Sequence, residues 1–254
     1  MSGVDKERVG KTFARHYEQY HDHAVVQREM AEKLAAALAE VAPDLQVQRA
    51  LEIGIGTGFL TRLLTARFPQ AEWWFNDLTP AAFDWIPVGL SQVLTLAGDA
   101  ETLPYPKGLD LLAGASALQW FDELHRFFPK ARRVLNKGGV LAVATFGERH
   151  FHELTAVAGG APLTYPTLAA LSDMARAAGF TLLHTAEWEH TLTFPDAREL
   201  LNHLRCTGVN GASTRRIATP AQLRTFGADY AAAYPTPNGH LPLTYHALLL
   251  VAQA

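Results

Sequence analysis

Apolar positions along this chain alternate between the period of a helix and short continuous runs bounded by turn residues. From Ala24 to Val41, Met30, Leu34, Leu38 and Val41 fall on one stripe, and the pattern stops before Pro43, which predicts a helix. Val47 to Ile53 reads as a buried strand, Phe59 to Phe68 as a helix closed by Pro69, and Ala71 to Phe75 as a second strand ending at Asn76-Asp77. A third strand is expected from Gln92 to Ala97, a fourth from Leu109 to Ala113, a helix from Asp122 to Leu135 and a fifth strand from Gly139 to Thr145. Thr167 to Ala178 is then a helix ended by Gly179, and Phe180 to Phe194 a sixth strand. Asp196 to Arg205 is helical, Cys206 to Thr219 a polar loop, and Pro220 to Tyr234 a helix with Thr219 as N-cap. Tyr245 to Val251 closes the series as the last strand. Alternation of this kind specifies an α/β fold, a mostly parallel sheet with helices on both faces.

The first strand runs into Leu51-Glu-Ile-Gly-Ile-Gly-Thr-Gly-Phe59. An acid, Glu52, followed by Gly54, Gly56 and Gly58 makes a tight turn into a helix with no side chain to block a ligand. The dinucleotide fingerprint requires a third glycine where Phe59 stands, so a pyrophosphate ligand fits poorly. Glu-x-Gly-x-Gly-x-Gly instead resembles the first motif of the class I S-adenosylmethionine-dependent methyltransferases. That resemblance implies S-adenosylmethionine as cofactor, S-adenosylhomocysteine as product, and a Rossmann-like seven-stranded sheet with an antiparallel last strand.

Ligands of a doubly wound sheet collect at the carboxyl ends of its strands. Asp77 ends the second strand, where its carboxylate is placed to accept hydrogen bonds from both ribose hydroxyls, with Leu78 beside it. Asp99, in Gly-Asp-Ala-Glu, resembles the motif whose acid meets the adenine amino group, with Ala100 supplying backbone. Residues 114–121 follow the fourth strand, where the transferable methyl should project. Ser116 and Gln119 are expected to line that space, and Trp120 to wall it from water.

Composition narrows the setting. A net charge of −3 over 254 residues argues against general affinity for nucleic acid. With no apolar run of about 18 residues and a charged N-terminus, the chain reads as cytoplasmic, without a membrane span. Its one cysteine, Cys206, rules out an intramolecular disulfide and suits a reducing compartment. The densest histidine groups, His21-Asp-His23 and His150-Phe-His152, lack recognisable zinc spacing, so no metal is expected. The chain reads as a single domain. Residues 1–45 form an N-terminal helical lid and first helix, 46–194 the cofactor-binding core, 195–240 a lid insertion and 241–254 the last strand.

Three further segments resemble one family, the malonyl-acyl-carrier-protein O-methyltransferases of biotin synthesis. They are Phe13-Ala-Arg with Tyr20-His-Asp-His-Ala-Val-Val-Gln27, then Leu204-Arg-Cys-Thr-Gly-Val-Asn210, and Pro242-Leu-Thr-Tyr-His246, joined by Leu118-Gln-Trp120. The resemblance implies methylation of the free carboxylate of malonyl-acyl-carrier protein. It places Tyr20 near cofactor and substrate as a positioning group rather than an acid or base, and Gln27 beside the cofactor. Tyr245 and His246 alternate faces of a strand, so only one can point at the site. Candidate cations for the malonyl carboxylate are Arg149, Arg205, Arg215 and Arg216. A basic landing patch for the acidic carrier is expected at Lys130, Arg132, Arg133 and Lys137, or at Arg198, Arg205, Arg215 and Arg216. Two alternatives stay open: a related small-molecule carboxyl methyltransferase, and a cofactor-binding protein without activity.

Overall fold

The computed structural model describes residues 6, 10, 17, 19–159, 163–208 and 219–254. Phe13-Ala-Arg15, Asn210, Arg215 and Arg216 lie outside the described residues, as does most of the loop expected from Cys206 to Thr219. Seven strands form one sheet: β1 (Arg49–Ile53), β2 (Glu72–Asp77), β3 (Gln92–Ala97), β4 (Leu109–Ala115), β5 (Leu135–Phe146), β6 (Thr181–Phe194) and β7 (Leu241–Gln253). Their spatial order is β3-β2-β1-β4-β5-β7-β6. Strands β1 to β5 pair in parallel, while β7 runs antiparallel to both β5 and β6. The order reverses between β1 and β4, and a crevice opens there at the carboxyl ends.

Helices follow from the apolar stripes. On one face lie α1 (Val25–Val41), α2 (Phe59–Arg67), α4 (His152–Ala158), α6 (Ala197–Cys206) and α7 (Pro220–Ala233). Met30, Leu34 and Leu38 of α1 pack there with Leu60 and Leu64 of α2, Leu200 and Leu204 of α6, and Phe226 of α7. The other face holds α3 (Leu124–Val134) and α5 (Leu168–Ala177), through Phe127, Phe128, Ala131, Leu171 and Ala175. The sixth and seventh strands are joined through α6 and α7. Thr219 caps α7 reciprocally, its hydroxyl accepting from Gln222 N at 3.2 Å while Gln222 Oε1 accepts from Thr219 N at 3.1 Å.

Two features depart from the pattern reading. Helix α4 was not anticipated, because its seven residues carry too short a stripe to register. Strand β3 is largely exposed, Val93 and Leu94 among its residues, where helices on both faces were expected. The connection after β2 forms only the 3-10 turn Pro80–Trp85, which is too short to cover the strand that follows. No helix among the described residues is long and apolar enough to cross a membrane.

Candidate functional site

A cavity opens at the carboxyl ends of β1, β2, β3 and β4. Its lining includes Tyr20, Gln27, Glu52, Gly54, Gly56, Asp77, Leu78, Asp99, Ala100, Ser116 and Trp120. The structure therefore gathers residues from five separate stretches of the chain around one space. Gly58 stands just outside as the N-cap of α2, and Gln119 turns back to donate to Ser116 O at 2.7 Å.

The glycine turn owes its sequence to steric limits. Gly54 has φ +65°, and a Cβ there would sit 2.6 Å from Ala117 Cβ. Gly56, at φ +52°, would meet nothing within 4 Å, because it faces the cavity. We expect Gly56→Ala to cost about 1 kcal/mol of stability, the backbone penalty alone. Denaturant titration measures it, and a loss above about 3 kcal/mol would mean that the space is not open.

Asp77 ties this turn to β2. Its Oδ2 accepts from Gly56 N at 3.0 Å and its Oδ1 from Thr79 N at 2.9 Å. Burial pushes its carboxyl up, and the backbone N–H groups of Thr79 and Gly56 oppose that shift. Tyr17 reaches the same carboxylate, its hydroxyl 3.4 Å from Oδ1. Sequence reasoning missed Tyr17, although its spacing of three from Tyr20 on a helical segment puts both on one face.

At the β3 end, Asp99 Oδ1 accepts from Glu101 N at 2.9 Å. Lys6, itself part of the lining, bridges Asp99 Oδ2, at 2.9 Å, and Glu101. Lys6 was another residue that sequence reasoning missed, since nothing local links it to a loop 93 residues away. Lys130 donates to Ala100 O at 2.7 Å and Glu101 O at 3.1 Å, and lies 3.8 Å from the Tyr105 ring centroid. It is thus spent on the Asp99 loop, which leaves the first expected landing patch without one of its four cations.

At the β4 end, Ser116 adopts φ +57°, a strained value for a residue with a side chain. Its amide donates to Ala144 O at 2.9 Å, and its hydroxyl lies 3.6 Å from Met30 Sδ. Three buried polar atoms of the lining residues have no hydrogen-bond partner among the described residues: Gln27 Oε1, Glu52 Oε2 and Thr57 Oγ1. Burial pushes the Glu52 carboxyl up to about 8, with the Asp77 charge adding to the shift. An acid, an amide carbonyl and a hydroxyl left unsatisfied in one buried wall fit a ligand carrying N–H and O–H donors. A nucleoside linked to an amino acid has both.

Other expected site residues lie elsewhere. His246 is fully buried between β5 and β6, its Nδ1 accepting from Arg149 N at 3.2 Å and its Nε2 3.0 Å from Glu187 Oε2. Gly147 is required beside it, since a Cβ would meet the His246 ring at 2.5 Å. Arg149 donates from Nε to Glu189 at 2.6 Å on that outer edge, away from the cavity lining. Arg205 is exposed and donates to Asn202. Tyr245 alternates to the opposite side of β7 from His246, where it is buried and bonded to His203 at 2.6 Å rather than lining the cavity. His150 is packed between the rings of Phe146 and Phe151, at 4.0 and 3.8 Å.

Comparison with known proteins agrees with this geometry. A family model described as a methyltransferase domain matches residues 51–143, from β1 to β5. The solved YcgJ protein of Bacillus subtilis has the same fold, with a TM-score of 0.62 and 15% identity, covering 87% of this chain and 98% of that one. The [4+2]-cyclase SpnF also shares it, with a TM-score of 0.54 and 22% identity over 87% of this chain and 79% of its own. The fold alone therefore does not name a reaction. Relatives over the full length are more specific. The malonyl-[acyl-carrier protein] O-methyltransferase of Haemophilus influenzae is 33% identical, covering 100% of this chain and 96% of that protein. Its namesake from Chlorobium phaeovibrioides is 34% identical, over 99% of this chain and 98% of that protein. With a class I methyltransferase sheet, a glycine turn facing a cavity and full-length relatives of one kind, this chain belongs to the malonyl-[acyl-carrier protein] O-methyltransferase family.

Proposed function

We propose that this chain transfers a methyl group from S-adenosylmethionine to the free carboxylate of a malonyl group carried on acyl-carrier protein, leaving S-adenosylhomocysteine. The observation that carries the reading is the full-length likeness to proteins of that name, combined with a cavity whose unsatisfied wall suits the cofactor. The bound cofactor supplies an electrophilic methyl on a sulfonium. The chain has to hold, align and dry the reactants, since a carboxylate is already a nucleophile and orientation supplies on the order of 7–11 kcal/mol. Asp77 and Leu78 are assigned to the ribose, Asp99 and Ala100 to the adenine, and Gln27, Glu52 and Ser116 to the amino-acid end. Trp120 and Tyr20 exclude water over the acceptor. A cytoplasmic setting suits the single free, buried thiol of Cys206.

Tyr20 is assigned a positioning role. Burial first, then the Asp77 charge, push its phenol far above the ordinary range, so its hydroxyl stays a donor. Tyr20→Phe should lower kcat about tenfold or more, the loss of one hydrogen bond to a charged acceptor, with cofactor affinity within about threefold. Normal turnover would remove Tyr20 from the mechanism. Of the arginines considered for the acceptor carboxylate, Arg149 is held by Glu189 and Arg205 by Asn202, so Arg215 and Arg216 are the first to substitute.

Mass spectrometry of malonyl-acyl-carrier protein after incubation with the chain and S-adenosylmethionine tests the reaction. One added methyl on the malonyl group is expected. Methylation of free small acids alone would instead favour the small-molecule reading.

A further inference from the structure

Beside the cavity, two guanidiniums stand over one stack of rings. His21 stacks on Phe59 at 4.8 Å and on Trp85 at 4.9 Å. Arg28, on α1, lies 4.9 Å from the Phe59 ring centroid, and Arg62, on α2, lies 6.0 Å from that of Trp85. Tyr20, Thr57 and Phe59 line the cavity, so the stack borders it. Arg28 donates to His21 O at 3.1 Å and Arg62 to Thr57 O at 2.9 Å. One backbone carbonyl thus orients each planar fork and leaves further N–H donors unspent. Both arginines are exposed.

Neither arginine forms an ion pair with a carboxylate among the described residues. Glu29, next to Arg28 in the chain, is taken by Lys33 at 3.5 Å and His190 at 2.6 Å, while Asp22 and Asp84, which adjoin His21 and Trp85, are exposed. Two other cations near the cavity are spent, Lys6 on Asp99 and Glu101, and Lys130 on the carbonyls of Ala100 and Glu101. Val25, one turn before Arg28, and Leu63, next to Arg62, are 47% and 38% exposed. Arginine edged by apolar side chains is what protein interfaces accumulate. The chain carries a net charge of −3, so an acidic carrier protein is repelled overall and needs a local positive surface to arrive in the right place. We propose that Arg28 and Arg62 form that surface, pairing with carboxylates of the carrier beside the cavity that its malonyl group must enter. This rests on the carrier-protein reading given above. His21 adds no third charge: burial first, then Arg62 and Arg28, lower its pKa, so the ring is a neutral spacer at pH 7.

Fluorescence anisotropy of labelled malonyl-acyl-carrier protein, with steady-state kinetics alongside, tests this on the full chain. Arg28→Gln and Arg62→Gln should each raise Kd and KM about 3- to 10-fold, with kcat and S-adenosylhomocysteine affinity within about twofold of the original. Both should also flatten the rise of Kd with salt, because a screened contact has been removed. Arg28→Lys and Arg62→Lys, which keep the charge, should recover carrier affinity to within about twofold. Unchanged Kd in both glutamine variants would overturn the proposal, as would a KM that rises only for Arg132→Glu or Arg198→Glu in the other basic patches. A loss of cofactor affinity matching the loss of carrier affinity would overturn it too, because the arginines would then be bracing the glycine turn through Thr57. The original chain separates the two levels. If it neither binds nor methylates the carrier, the function reading falls and this surface with it; if it does both and the glutamine variants match it, only the docking role falls.

Discussion

Replacing Asp77 with alanine should weaken S-adenosylhomocysteine binding by about 10- to 150-fold, equivalent to about 1.5–3 kcal/mol, while the chain stays folded. The carboxylate belongs to the cavity lining and already accepts from Gly56 N at 3.0 Å and Thr79 N at 2.9 Å. Its Oδ2 keeps a second lone pair for a ribose hydroxyl, while Oδ1 already takes the Tyr17 hydroxyl at 3.4 Å beside Thr79 N. Removing it also releases the glycine turn from β2, so the loss includes a share of preorganisation. Asp77→Asn is the sharper control, because it keeps the volume but puts an NH2 donor where one acceptor was. Calorimetry should find Asn nearly as damaging as Ala, with melting temperatures of both near the original. Unchanged affinity in either would take Asp77 out of the ribose assignment.

Much of this site was legible because its parts are local. Glu52, Gly54 and Gly56 follow one another in a turn, and Asp77 and Asp99 each end a strand that a run of apolar residues announces. Strand ends converge in a parallel sheet, so reading where each run stops was enough to group them. What joins those parts was not legible. Lys6 meets Asp99 across 93 residues, and His203 meets Tyr245 across 42, and neither pairing leaves a periodic trace. Arg149 shows the converse. As a lone arginine just after β5 it was a reasonable partner for a carboxylate, yet Glu187 and Glu189 of β6 take it, because β7 inserts between β5 and β6 and aligns their ends. Charge in the sequence does not tell which strand will lie beside it.

Glu52→Gln should change how both stability and cofactor affinity respond to pH. In the folded chain burial raises this carboxyl from 4.5 to about 8. Between those values the folded state holds a proton that the unfolded state has released, so stability falls as pH rises, by up to about 1.4 kcal/mol per unit. Below about 4.5 the group contributes no difference, and above about 8 the full penalty of a buried carboxylate is present. Glutamine carries no such penalty. The variant should melt close to the original chain at pH 5 and distinctly higher at pH 8 to 9, and equal melting curves at both would mean that Glu52 is not held protonated. Binding runs the other way. A cationic amino-acid end beside Glu52 favours the carboxylate, so the proton leaves on binding and affinity should rise from pH 6 to 8, by at most about tenfold per unit. Calorimetry in two buffers of different ionisation heat counts that proton directly. The original chain should release close to one proton near pH 7 and the glutamine variant none; equal release by both would place the cofactor's charge away from this acid.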